Sequence, residues 1–363
     1  MTSPPLSHDL RADGAALAPA GDAPADGDPA AAAPGGRRAR RARRRPRPLV
    51  RRPGGPGRPG RGATRAHRRL AYALIAPAAI FMLLVHVIPT AAGFLLSFKD
   101  LNTFTFSQLF DAPSAGLRNY TALFDPGNPL HEGFVGAVRN TAVYTVVTVT
   151  GTLVGGLAIA LLLNRPMRGH KLVRTLMLTP WIVPSFVVAV LWQFMWQSDV
   201  GIVNKVLVDY THLLSDRPVW LIGPNSLWAI IIPSIWRGLP FAMLIFLAGL
   251  QAIPQELHEA AALDGAGPWK RFRHITLPLL RPLIAVQLLF NVIYAVYQFA
   301  IPVIMLGSSP GPDADLLMTL IVRQSFSNNL FGIGAAVSTL LMLVMAIWVL
   351  VWYAAFRRDL EVR

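Results

Sequence analysis

Six runs of almost uninterrupted apolar residues constrain this chain more than any other feature: Leu70 to Phe98, Thr141 to Leu163, Leu176 to Trp196, Leu227 to Leu250, Leu283 to Leu306 and Leu330 to Phe356. Each exceeds the ~20 residues that an α-helix, rising about 1.5 Å per residue, needs to cross roughly 30 Å of hydrocarbon. A core helix of a soluble protein carries a polar face, and these runs show almost none. At 53% hydrophobic and 15% charged residues, the chain holds more apolar side chain than one soluble core buries. The fold class expected is therefore an all-α membrane protein with six transmembrane helices.

The net charge of +15 resolves into a tail property once it is divided along the chain. Residues 1–69 hold 16 Lys and Arg against 5 Asp and Glu, whereas the remainder holds 18 against 14. Met1 to Gly36 is rich in Ala, Pro, Gly and Asp, and Arg37 to Arg69 carries fifteen Arg broken by Pro and Gly. Neither stretch buries enough apolar surface to offset the entropy of ordering, so residues 1–69 are expected to be a disordered cytoplasmic tail. Such a tail gains about 1 kcal/mol per Arg beside anionic lipid head groups. No nucleic-acid partner and no cleaved signal peptide are expected.

Cytoplasmic connections of membrane proteins carry excess Lys and Arg, which orients the helices. With the tail inside, the internal loops hold Arg165, Arg168, Lys171, Arg174, Lys270, Arg271, Arg273, Arg281, Arg357, Arg358 and Arg363; the external loops hold only Lys99, Arg118, Lys205, Arg217 and Arg323. Both termini are thus expected in the cytoplasm. The organisation expected is a tail at 1–69, a six-helix domain at 70–356 in the bacterial cell membrane, and a cytoplasmic C-terminus at 357–363.

The longest internal loop, Gln251 to Arg281, is patterned. Pro254 suits a first helical position, Glu256 and Glu259 lie toward the positive end of the helix dipole, and Gly265 or Gly267 suits a left-handed helix stop. Pro268 then starts a second short helix. This predicts a small helix–turn–helix that offers Leu257, Ala260, Ala261 and Leu263 to another molecule.

The same loop reads Glu259-Ala260-Ala261, three residues, Gly265, nine residues, Ile275, one residue, Leu277-Pro278. In this it resembles the integral membrane subunits of binding-protein-dependent ABC importers. Further matches point to the sugar-permease branch, in particular the first permease of glycerol-3-phosphate and oligosaccharide importers. They are Ala76-Pro77, Pro89 and Ser97-Phe98 in the first helix, Arg118-Asn119-Tyr120 ahead of the second, and Arg139-Asn140-Thr141 opening it. Trp236 to Phe241 and Leu247 to Gln251 in the fourth helix and Phe290 to Tyr294 in the fifth extend them, so that the likeness covers residues 70–356. Two features depart from that pattern: the Leu306 to Pro312 segment and the Arg-rich tail.

The resemblance implies an ATP-driven importer permease for a sugar or sugar-like solute, in which the Glu259 to Pro278 loop is the coupling helix that docks on an ATPase subunit. It implies a heterodimeric or homodimeric permease core, with a different chain expected as the second subunit, two ATPase subunits and an extracellular solute-binding protein. The chain itself binds no cofactor or metal on this reading, and ATP with Mg²⁺ belongs to the partner ATPase. The residues agree: no Gly-x-x-x-x-Gly-Lys-Ser/Thr loop, Gly-x-Ser-x-Gly elbow or His-Glu-x-x-His motif occurs, so a catalytic role is not expected. The runs also lack any Asp or Glu with which a secondary carrier would couple flux to an ion gradient. A permease for another polar solute, or a carrier or channel not coupled to ATP, is the alternative.

One residue inside the runs carries charge at depth. Arg237 is the eleventh of 24 residues from Leu227 to Leu250, near the bilayer midplane, and is not expected to face lipid. Pro240 removes the amide that would bond to the Trp236 carbonyl, and Gly238 loosens the same turn, so a broken helix is expected there. Arg237, Asn291, Tyr294 and Gln298 are the expected lining of a translocation cavity.

Overall fold

The structure, a computed structural model, describes residues 61–109, 111–165 and 168–360. The expected disorder of 1–60 lies outside the described residues. Two units separate, Met1–Ala66 and His67–Arg363, and all the membrane spans belong to the second.

Helices account for nearly all regular structure in the described residues, whose lone β-bridge joins Lys99 and Ser114. Among the described residues, five helices are long and apolar enough to cross a membrane, and there are six spans if a sharply bent pair is counted as one. They are α1 (Leu70–Leu96), α3 (Pro129–Leu163), α6 (Ser226–Ala252), α9 (Leu277–Val296) and α12 (Phe331–Leu360), with the pair α4 (Lys171–Ile182) and α5 (Ser185–Met195). Shorter helices α2 (Arg118–Phe124), α7 (Gln255–Leu263), α8 (Pro268–Arg271), α10 (Ala300–Leu306) and α11 (Leu317–Val322) join them.

Several boundaries differ from the sequence reading for identifiable reasons. The helix leading into α1 begins at Arg61, so Arg61 to Arg69, expected to be disordered, are helical; this stretch has no Pro, and Ala and Arg favour helix. The second span starts at Pro129, where Asn128 caps the Leu130 amide at 3.0 Å and Pro129 takes the first turn. Arg139-Asn140-Thr141 therefore lies well inside α3. The third run bends by 97° between α4 and α5. Pro184 has no amide to continue the helix and pushes Val183 into an extended conformation (φ −66°, ψ 130°). The fifth run is interrupted from Tyr297 to Phe299. Pro302 lies four residues beyond Gln298, whose carbonyl its ring would crowd in a continuous helix.

The fourth run does not break. α6 passes through Pro233 and Pro240 without interruption. At Pro233 the carbonyl left without a partner is that of Ala229, and the Trp196 indole donates to it at 3.1 Å. Around Pro240 the helix lies against α3. A Cβ on Gly151 would come within 2.6 Å of Ile235, on Gly155 within 2.5 Å of Leu239, on Gly156 within 2.6 Å of Ala242, and on Gly238 within 2.9 Å of Thr152. Lipid supplies no hydrophobic drive for helices to associate, so close backbone approach through small residues provides the packing energy. That contact holds α6 helical across its proline.

α6 is the centre of the unit, packed by α3, α4, α5, α9 and α10. One buried cluster joins Tyr144, Trp196, Ile230, Ile301 and Met305; a second, nearer α7, joins Met243, Phe246 and Leu280. A third holds α2 and α3 against α12 through Leu123, Phe134 and Val337. The Arg118-Asn119-Tyr120 motif fastens α2 to the end of α1. The Asn119 amide donates to the carbonyls of Ser97 and Lys99 at 2.8 and 2.9 Å, and the Tyr120 and Ser97 hydroxyls share a hydrogen bond. Together they turn the chain back where α1 stops.

Candidate functional site

The loop between α6 and α9 folds as the helix–turn–helix that its prolines and glycines prescribe. Pro254 caps α7 rather than opening it, with φ −58° and ψ 130°, and Glu256 lies in the first turn. At the other end Ala266 N–H donates to the Ala261 carbonyl and Gly265 N–H to that of Ala262, at 2.9 and 3.0 Å. This is a Schellman closure, which needs a left-handed residue just past the helix; Gly265 supplies it at φ +78°. Gly267 is extended and caps α8, with Pro268 in its first turn. The wide π turn Phe272–Thr276 then leads into α9. It precedes Pro278, which has no amide to close an ordinary turn.

Of the signature residues, Glu259 and Ala260 are exposed, Ala261 is half-buried, and Glu259 makes no ion pair among the described residues. Ile275 and Leu277 are half-buried at the junction with α9, and Pro278 is exposed. Large apolar groups point outward: Leu263 is 91% exposed and Trp269 70%. The loop therefore ends in an apolar surface that the other described residues do not cover. Beside it, an open hollow of about 1010 Å³ runs between the ends of α3 and α6 and the α7–α8 pair, lined by Arg165, Gln251, His258, Trp269 and Arg271 among others. Arg271 donates to the His258 carbonyl across the turn.

Of the four expected cavity residues, the structure brings two together. Arg237 Nη1 donates to the Tyr294 hydroxyl, and its guanidinium carbon lies 5.8 Å from the centre of the Tyr294 ring. Arg237 is half-buried, and its Nε is buried without a partner. Asn291 instead turns along its own helix, donating to the carbonyl and side-chain oxygen of Gln287 at 2.8 and 2.9 Å. Gln298 is buried in the break between α9 and α10, with its amide nitrogen unpartnered. Gln287, Asn291 and Tyr294 share one face of α9, three or four residues apart, and Gln298 follows in the break beyond its end. Gln287, buried and with an unpartnered amide nitrogen, is the member that sequence reasoning missed; its spacing from Asn291 was the available signal.

Two further polar groups also went unpredicted. Tyr144 donates to Ser234 at 2.7 Å between α3 and α6. Asp315 pairs with Arg323, accepts from Thr319 at 2.6 Å, and offers its carbonyl, with that of Pro312, to the Asn140 amide. A mostly apolar groove of about 440 Å³ lies between α3, α9 and α12, and none of the four expected cavity residues lines it.

Residues 151–362 match the family described as binding-protein-dependent transport system inner membrane component. A trehalose/maltose transport system permease protein of Thermococcus litoralis is 34% identical over 295 residues, covering 80% of this chain and 95% of the relative. A sulfoquinovosyl glycerol transport system permease protein of Agrobacterium fabrum is 38% identical over 275 residues, covering 76% and 86%. Among solved structures, a chain of a bacterial ABC transporter involved in import of the acidic polysaccharide alginate superposes with a TM-score of 0.65 at 24% identity, over 81% of this chain and 96% of that one.

Proposed function

The chain belongs to the family of binding-protein-dependent transport system inner membrane components, and on that premise we propose that it forms one wall of the translocation pathway of an ATP-driven importer for a sugar or sugar-like solute. It is a transport subunit of a cell membrane, and a solute-binding protein is the partner that the family description itself requires. The relatives at 34% and 38% identity carry sugar or sugar-derivative transport in their names, which supports the solute class.

The observation that carries the ATP-driven reading is the uncovered Glu259 to Pro278 helix–turn–helix. Leu257, Leu263 and Trp269 stand exposed on a loop held in one shape by the Gly265 closure and the Arg271 contact. A rigid apolar projection of this kind suits docking into a groove of a separate ATPase, with Glu259, Ala260, Ala261 and Gly265 on the docking helix and Ile275, Leu277 and Pro278 relaying its position to α9. Two ATPase subunits, and a second permease packed against the exposed α1, complete the proposed assembly. No residue of α1 is buried among the described residues, and the Tyr294 side of α9 is open. The tail and C-terminus would lie on the cytoplasmic side with the loop. Arg237, Tyr294, Asn291 and Gln298 would line the pathway, offering an aromatic ring and amides suited to a hydroxylated solute.

The test is uptake of labelled sugars by the complex purified through this chain, reconstituted with its binding protein and with ATP inside the vesicles. Uptake that requires ATP is expected. Uptake at the same rate without ATP, driven by an ion gradient, would contradict the reading.

A further inference from the structure

Arg237 is a cation at the middle of a membrane-spanning helix with no carboxylate paired to it among the described residues. The spans contain only two acids, Glu132 and Asp359, each in a terminal turn. The ion pairs among the described residues are Arg118–Asp100, Arg217–Asp209, Arg281–Asp359 and Arg323–Asp315, and Arg237 is in none of them. Its one donor contact goes to a neutral phenol, its Nε is buried without an acceptor, and the Tyr294 ring beside it is 51% exposed. A guanidinium removed from water is stable when an anion accepts its hydrogen bonds, and its planar fork matches a phosphate, sulfonate or carboxylate in two bonds.

We infer that Arg237 is an anion-reading position, so that the solute carries a phosphate, sulfonate or carboxylate group on its polyol or sugar body. This rests on the pathway reading given above and narrows it. Tyr294 holds the guanidinium toward the open side while the pathway is empty, and the anionic group supplies the missing counter-charge during passage. Gln287 on the Asn291 face of α9, and Gln298 in the break beyond it, have amide nitrogens without partners that can bond the remaining oxygens.

The chain has no cysteine, which gives a direct test. In the complete complex, Asn291→Cys is treated with methanethiosulfonate reagents of opposite charge, one carrying a sulfonate and one a trimethylammonium group, and modification of this chain is followed by its mass. With Arg237 present, the ratio of anionic to cationic reagent rates should be about tenfold higher than in the Asn291→Cys, Arg237→Gln double variant, given Coulomb attraction in a poorly screened site. Arg237→Lys, which keeps the charge, should keep most of the ratio. A ratio unchanged by Arg237→Gln overturns the inference, since it means that the charge is already balanced by a partner chain, while the pathway reading survives. Failure of both reagents to reach Asn291→Cys in every nucleotide state overturns the pathway reading and the inference with it.

Discussion

Asp315 shows how a single residue pins a connection to the bundle. It is 4% exposed; its side chain pairs with Arg323 and accepts from Thr319 on α11, and its backbone carbonyl accepts from Asn140 on α3. Removing one partner of a buried pair leaves the other charge uncompensated, at about 3 kcal/mol or more. Asp315→Ala is therefore expected to lower the thermal unfolding midpoint in detergent by several degrees, and Asp315→Ala with Arg323→Leu should recover part of that loss. Nothing in the sequence marked this pair, because its members lie in loop and helix with no periodic pattern to join them. By contrast, Arg237 and Tyr294, which the structure brings into contact, were both singled out in the sequence, and Gly265 was one of the two glycines expected to stop the helix. The direction of Asn291 was not legible, since its choice of Gln287 depends on which face of α9 turns inward.

At the scale of elements, hydropathy located every span, because length and apolar content are properties of the segment itself. The bends depended on proline, and here the sequence was a partial guide. Pro184 and Pro302 accompany breaks, whereas Pro240 does not, because the glycines of α3 bring α6 close enough to hold it. That contact joins segments far apart in the chain and carries no local signature. It makes a prediction: Gly156→Leu places a side chain where a Cβ already meets Ala242 at 2.6 Å and the Met243 amide nitrogen at 3.1 Å, and should separate α3 from α6. Loss of monodisperse protein on size exclusion is expected. Gly133→Leu on the same helix, where a Cβ meets nothing within 4 Å, should leave the elution profile unchanged.

At the level of the whole molecule, the described residues leave much apolar surface uncovered: that of α1, the Tyr294 side of α9, and the loop bearing Leu263 and Trp269. Lipid satisfies the first two wherever a partner does not, but the loop lies beyond the spans. Its proposed role is to dock an ATPase, and Gly265 gives the cleanest access to it. A Cβ there meets no atom within 4 Å, so a substitution acts only through its backbone at φ +78°. That conformation costs a β-branched residue about 1–2 kcal/mol and costs Asn less. The deciding measurement is the amount of ATPase that co-purifies with the chain, with ATP-dependent uptake measured on the same preparations, for wild type, Gly265→Asn and Gly265→Val. Near-wild-type values are expected for Asn, and for Val an inserted, folded permease that loses most of its ATPase and its uptake. Wild-type co-purification and uptake in Gly265→Val would contradict the docking role.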